Sequence, residues 1–452
     1  MDFSVDGKRI TVVGAARSGR AAAELLARRG ARVVLSDSKT DLPDSGHLVD
    51  LGVELESGGH RLETFLQSDL VVMSPGVPPE LPEAQAARGH GIAVIGEVEL
   101  ASRFLRGRVI AITGTKGKST TTELTGRILE AAGFDVTVGG NIGSPLSAQV
   151  SRSTPDTLHV VETSSFQLDQ IDTFHPWIAV LLNLSPDHLD RHPSFEAYAA
   201  AKERIFVNQT EHDWAVVNAD DPQVLAMAKR GRAQIRCFSR HQALHRGTTV
   251  LDGWIDDTDG DRVQRLVPLD SIQLIGPHLI DDVMAAATVG LIAGAAPAAM
   301  TAAVEAFRGL EHAMEPVAER DGVRFVNDSK ATNVEAALRS IESFDSGLVA
   351  IMGGRFKGGD LTLLRHPLAA RAKAVVAIGE AREQIEEALQ GAVNVVTAAS
   401  LAEAVDRAFT LAQPSGVVLL APACASFDMF RDYAERGRVF KQEVARLVGR
   451  GR

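Results

Sequence analysis

The chain has 452 residues, 45 % of them apolar, and a formal net charge of −11. That length exceeds what one hydrophobic core organises, so two or three domains are expected. The acidic balance argues against a general binder of nucleic acid or anionic membrane, which needs a broad positive field. Cys237 and Cys424 lie far apart without metal spacing, which argues against a disulfide framework and a structural zinc site and points to the cytoplasm.

In chain order, the opening predicts a strand over Arg9 to Gly14, a helix to about Arg29 and a strand over Arg32 to Asp37. A charged-then-apolar signal peptide is not expected at this start. Short strands follow at Leu70 to Ser74 and Ile92 to Ile95, and a linking helix over Glu97 to Leu105 leads to a strand beginning at Val109. The middle of the chain predicts buried strands at His159 to Glu162, Ile178 to Leu184 and Trp214 to Asn218, with a helix over Phe195 to Asn208. Arg246 to Asp261 predicts a hairpin excursion. The Ala-rich run from Met284 to Val304 approaches membrane-span length, but Pro297 and its glycines favour a buried helix or helix pair. The last third restarts the alternation at Arg324 to Asn327, Leu348 to Gly353, Ala374 to Gly379, Val393 to Val396 and Val417 to Ala421. The fold class is α/β, with three units whose sheets are mostly parallel and whose ligands belong beyond the carboxyl ends of the strands. The expected divisions are residues 1–100, 101–309 and 310–452.

The most informative stretch is Ala111-Ile-Thr-Gly-Thr-Lys-Gly-Lys-Ser-Thr-Thr-Thr122. An apolar strand runs into a glycine turn and then a helix, which is how a chain builds a phosphate cradle. Gly114, Thr115, Lys116 and Gly117 supply backbone N–H groups, Lys118 supplies a mobile charge, and Ser119 or Thr120 can hold the magnesium that travels with a nucleotide. Ile112 stands where the common phosphate loop has its first glycine, so the loop is a shortened variant.

Other polar groups also follow apolar strands. Gly14-Ala-Ala-Arg-Ser-Gly19 with Asp37 is an imperfect dinucleotide fingerprint, because Ala16 replaces the middle glycine; a tight turn and a ligand-binding turn both remain open. Glu162 ends a strand where it can reach a metal near Ser119, while Ser164 or Ser165 can cap the next helix. Leu182-Asn-Leu-Ser-Pro-Asp-His-Leu-Asp-Arg-His192 gathers acids and imidazoles with Lys202 on the following helix, which suggests a second metal or substrate site around His188. Asn327-Asp-Ser-Lys-Ala-Thr-Asn333 offers Asp328 and Lys330 for a nucleotide, against simple capping by Asn327 or Ser329. Ala423-Cys-Ala-Ser-Phe-Asp428 offers Ser426 for a carboxylate.

In this order the motifs resemble the Mur ligase family of ATP-dependent amide ligases in peptidoglycan precursor synthesis, over nearly the whole chain. The resemblance implies an N-terminal domain for a UDP moiety, a central ATPase and a C-terminal Rossmann-like domain for an incoming amino acid. It implies addition of glutamate, expected as the D enantiomer, to UDP-N-acetylmuramoyl-L-alanine through an acyl phosphate. An L-glutamate-adding variant or another Mur or folylpolyglutamate-type ligase is the alternative, and a non-catalytic nucleotide-binding scaffold is the alternative of another class. By resemblance Lys118 holds the β and γ phosphates, Ser119 and Glu162 bind a first Mg2+, and His188 serves a second with Lys202, carbamylated in relatives. Ser18, Asp37, Ser74 and Gly76 would hold the uridine diphosphate and Asn141 the muramoyl part. Asp328 and Lys330 would contact ATP and its metal-bound phosphates, and Thr332, Lys357, Ser426 and Tyr433 would form the glutamate pocket. The expected partners are these small molecules alone, with no nucleic acid or membrane, and a monomer is expected. Two departures stand out: the family's His-Asn-x-x-Asn is here His278-Leu-Ile-Asp-Asp282, with Asp282 in the last nucleotide-contacting place, and its His-Arg is His312-Ala313. Relocated nucleotide contacts or weakened ATP use follow from these losses.

Overall fold

The computed structural model describes residues 3–42, 45–188, 191–273, 276 and 278–449. By internal contacts the chain divides into two compact units, Met1–Ile272 with Ile280–Ala306, and Gln273–Leu279 with Phe307–Arg452.

The first unit holds two sheets. Five parallel strands lie in the order Glu54–Ser57, Arg32–Asp37, Arg9–Val13, Leu70–Met73, Ala93–Gly96. The helix Arg17–Arg28 buries Ala22, Ala23, Leu25 and Leu26, and Ala22, Ala23 and Leu26 join Ile10, Val12 and Leu35 in one apolar cluster. The second sheet has nine strands, ordered Arg262–Pro268, Trp254–Asp259, Arg246–Leu251, Gln234–Ser239, Trp214–Asn218, Ile178–Leu181, Arg108–Thr113, Leu158–Glu162, Val136–Gly140. Its first three strands are antiparallel neighbours and the rest pair in parallel. The central strands Arg108–Thr113 and Leu158–Glu162 are covered on both faces, which is why they are runs of Val, Ile and Ala rather than alternations. The excursion predicted as a hairpin therefore has a third strand, Arg262–Pro268. The Ala-rich run is a helix pair, His278–Ala293 and Pro297–Ala306. Among the described residues no helix is long and apolar enough to cross a membrane.

The second unit carries six strands, ordered Glu315–Arg320, Val323–Asn327, Gly416–Leu420, Leu348–Gly353, Ala372–Ile378, Val395–Thr397; only the first pairing is antiparallel. Two apolar clusters flank it, one built on Val326, Ala350, Met352 and Leu419, the other on Phe325, Val349, Ile351 and Leu420. Successive residues of one strand thus feed opposite layers, as the period of two requires.

Candidate functional site

The phosphate loop lies at the carboxyl end of Arg108–Thr113. Gly114 takes φ 152° and Gly117 φ 81°, backbone that L side chains rarely adopt, and Gly117 caps the helix Lys118–Ala131. The neighbouring strand end buttresses the turn. Thr115 N–H donates to the Asn183 carbonyl at 3.0 Å, Lys116 N–H to Asn183 Oδ1 at 2.9 Å, and Ser185 N–H to Thr115 Oγ1 at 3.0 Å. The Lys118 ammonium lies over the loop, donating to the Gly114 and Thr115 carbonyls at 2.9 Å each. Ser119 and Thr120 occupy the first turn of the helix, half-buried.

Glu162 ends the adjacent strand and is buried. Its Oε1 accepts from Asn141 Nδ2 at 2.7 Å, and Asn141 N–H donates to the Glu162 carbonyl at 2.9 Å. Oε2 is buried with no hydrogen-bond partner. A buried carboxylate oxygen left in this way is costly unless a cation completes it. Carboxylate and hydroxyl oxygens suit magnesium, which takes one or two protein carboxylates and otherwise relies on phosphate and water. Among the described residues no three His, Cys, Asp or Glu side chains are grouped to hold a metal alone.

Lys202 is 2 % exposed and reaches back to the same loop, its Nζ 2.7 Å from the Gly114 carbonyl. Burial first, and then Lys118, press its pKa well below the ordinary value, with Asp187 and Glu162 acting in the opposite sense. Tyr198, which no motif signalled, organises this corner. Its hydroxyl bonds Thr115 Oγ1 at 3.0 Å, and its ring carries Lys202 Nζ at 4.8 Å and His188 at 6.4 Å. Burial pushes the Tyr198 phenol up to about 12. His188 sits at φ 53°, half-exposed, with Nε2 3.8 Å from Asp187 Oδ2 and its ring edge-on to Phe166 at 5.2 Å. Asp190 lies outside the described residues. His192 is structural: its ring stacks on Phe166 at 5.1 Å and Nε2 bonds Ser165 Oγ at 2.9 Å. Of the two hydroxyls offered for capping, Ser164 caps the next helix, in a capping box with Gln167.

A cleft of about 600 Å³ in the same unit gathers Ser18, Asp37, Ser74, Gly76 and Asn141. Two of these also build its wall. Asp37 accepts from Ala15 N–H at 2.6 Å and Lys39 N–H at 2.8 Å, and Ser74 donates to the Gly14 carbonyl at 2.9 Å. The cleft adds Arg17, Lys39, His60 and Gln167, which the fingerprint alone did not indicate. Arg17 also donates to the Gly143 carbonyl.

The remaining candidates belong to the second unit. Asp328 is buried and accepts from Met314 N–H at 3.1 Å and from the Ser340 hydroxyl; burial raises its pKa. Lys330 is exposed and Thr332 half-buried. The helix cap offered as the alternative for Asn327 or Ser329 is supplied by Asn333, which accepts from Ala336 N–H at 2.8 Å. Asn327 donates to His312 Nδ1 at 2.9 Å and Glu315 Oε2 at 3.0 Å. Lys357 lies 5.7 Å over the Phe427 ring, Ser426 is buried, and Tyr433 is 40 % exposed. What joins these loops is Arg436, another residue without a sequence signal. It is 1 % exposed and donates to Ser329 Oγ and the Ser329 carbonyl at 2.9 Å and to the Cys424 carbonyl at 3.2 Å.

Three family profiles match: the Mur ligase MurD-like N-terminal domain over residues 8–96, the Mur ligase middle domain over 112–290, and the Mur ligase glutamate ligase domain over 312–424. The UDP-N-acetylmuramoylalanine–D-glutamate ligase of Koribacter versatilis is 47 % identical over 449 residues, spanning 99 % of each chain. The ligase of the same name from Acidobacterium capsulatum is 48 % identical over 457 residues, 99 % of this chain and 98 % of that one. Among solved structures, the UDP-N-acetylmuramate–alanine ligase of Thermotoga maritima superposes with a TM-score of 0.60 at 18 % identity, covering 97 % of this chain and all of that one, a likeness of fold. With sequence identity sustained from end to end and the phosphate loop, the buried Glu162 and the Lys202 corner assembled around one strand end, this chain belongs to the Mur ligase family.

Proposed function

We propose that the chain is an ATP-dependent ligase that joins D-glutamate to UDP-N-acetylmuramoyl-L-alanine. The single observation that carries the reading is the orphaned, buried Glu162 Oε2 beside a glycine turn whose carbonyls are met by Lys118 and, from a later helix, by Lys202. The full-length likeness to ligases of that name supports the choice of substrates. In this reading residues 1–100 take the UDP moiety, 101–309 the ATP, and 310–452 the glutamate.

The chemistry is charge management. A substrate carboxylate must approach a γ-phosphate although both are anions. Lys118 and the loop N–H groups neutralise and align the phosphate for in-line attack. Ser119 and Glu162 would hold a first Mg2+ and His188, with Lys202, a second; magnesium supplies Lewis-acid neutralisation of the phosphate oxygens. Burial disfavours the ammonium form of Lys202, so its neutral amine can offer a lone pair to carbon dioxide. Its nitrogen forms the C–N bond, a proton is released, and the carbamate is a carboxylate-like ligand. Asn141 holds Glu162 from the side of the UDP cleft, so substrate and metal groups share one wall. Glutamate, oriented by Thr332, Lys357, Ser426 and Tyr433, then attacks the acyl phosphate through its amine, and phosphate departs as the amide forms. Asp328 and Lys330 serve the nucleotide.

The test is phosphate release with ATP, magnesium, UDP-N-acetylmuramoyl-L-alanine and each glutamate enantiomer separately. Release that requires the D enantiomer is expected. Release with the L enantiomer alone, or none with either, overturns the assignment.

A further inference from the structure

The helix His278–Ala293 presses a carboxyl against the phosphate loop. Asp282 is 4 % exposed, and it meets the loop where Gly117 turns to φ 81°. A Cβ placed on Gly117 would lie 2.0 Å from Asp282 Oδ1 and 3.1 Å from Oδ2. The side chain that residue 117 lacks and the carboxyl of residue 282 therefore claim the same space. Gly117 is constrained twice, by its backbone angle and by this neighbour. The next residue is Lys118, whose ammonium lies on the loop carbonyls.

Asp282 Oδ2 is buried without a hydrogen-bond partner. Burial drives its carboxyl well above the usual carboxylate range; Asp281 adds to that, while the Thr121 hydroxyl and Lys118 oppose it. An ionised group here would also repel a phosphate held by the adjoining turn. Asp282 thus has the shape of an asparagine side chain, and burial disfavours its charged form.

We infer that Asp282 is a positioning residue for the phosphate loop: its carboxyl fills the space beside Gly117 and holds the Gly117–Lys118 turn in the form that aims the backbone N–H groups and Lys118 at a triphosphate. The inference rests on the ATP reading above and deepens it.

The test uses the full chain, with calorimetric titration of magnesium and adenylyl imidodiphosphate beside steady-state kinetics. Asp282→Ala is expected to raise both the Kd of the analogue and KM for ATP about tenfold, the scale seen when a group that orients a ligand-holding residue is lost. kcat and KM for the UDP substrate should move far less. Asp282→Asn should recover most of the loss. Gly117→Ala supplies an independent arm: its penalty should be clearly smaller in the Asp282→Ala background, where the added methyl has room, than in the unaltered or Asp282→Asn background. Equal penalties in all three backgrounds, or analogue binding by Asp282→Ala as tight as that of the unaltered chain, overturn the inference while leaving the ATP reading intact. An unaltered chain that binds no analogue overturns the ATP reading and the inference with it.

Discussion

Replacing Arg436 by alanine would remove a guanidinium that ties three strand-end loops of the second unit together. Its contacts are Ser329 Oγ and the Ser329 carbonyl at 2.9 Å, the Cys424 carbonyl at 3.2 Å and the Gly353 carbonyl at 3.4 Å. Among the described residues no carboxylate pairs with it closely; burial lowers its pKa to about 10, so it stays protonated at neutral pH at some cost. Each buried carbonyl left without a donor costs about 1–3 kcal/mol, and the deleted side chain leaves a cavity. Relief of the guanidinium's own desolvation offsets part of this. The net loss expected is about 3–5 kcal/mol, large for a single substitution and tied to a named buried network. For a unit of this size that corresponds to a fall of about 10 °C in its melting transition. Arg436→Lys should recover little, because an ammonium cannot span the same acceptors. Calorimetric melting of the full chain reads the stability, and KM for glutamate reads the geometry of the loops bearing Asp328 and Ser426. An alanine variant that melts within about 1 °C of the unaltered chain and keeps its glutamate KM would refute the reasoning.

Glu162→Gln keeps the volume and the Asn141 contact but removes the charge, so kcat should fall by about a hundredfold or more and recover partly as magnesium is raised; activity unchanged at low magnesium would count against Glu162 as a ligand. Lys202→Met should abolish turnover yet stabilise the fold at neutral pH, in buffer depleted of carbon dioxide. The sign follows from linkage: a lysine whose folded pKa is lowered makes stability rise with pH between that lowered value and the ordinary 10.5, and the methionine variant should lack that slope in pH-dependent melting. Ala313→Arg restores the cation that the His312-Ala313 pair lacks and should lower KM for ATP severalfold; an unchanged KM would show that ATP use is not weakened at this position.

Where local patterning decides the structure, the sequence was enough. Leu348–Gly353 and Arg32–Asp37 are strands with the limits their apolar runs suggest, because parallel strands covered on both faces must be continuous in Val, Ile and Leu. The strands without a signal are those this rule does not govern: Glu54–Ser57, Val136–Gly140, Arg262–Pro268 and Glu315–Arg320 lie at sheet edges, and Gln234–Ser239 is partly exposed. The site divides in the same way. Lys118 and Glu162 stand out in the sequence because strand, turn and helix are contiguous there. Tyr198 and Arg436 are not, since nothing in an aromatic or a basic helical residue announces that its partner is a loop far away in the chain. Asp282 joins the two cases. The sequence marks it as a departure from a pattern, but only the left-handed Gly117 beside it shows why a carboxyl fits, because the relevant quantity is a space shared by two residues on different elements. Periodicity and motif spacing encode what one segment does by itself; the orphaned oxygens of Glu162 and Asp282 are properties of the assembled neighbourhood, which no single segment spells out.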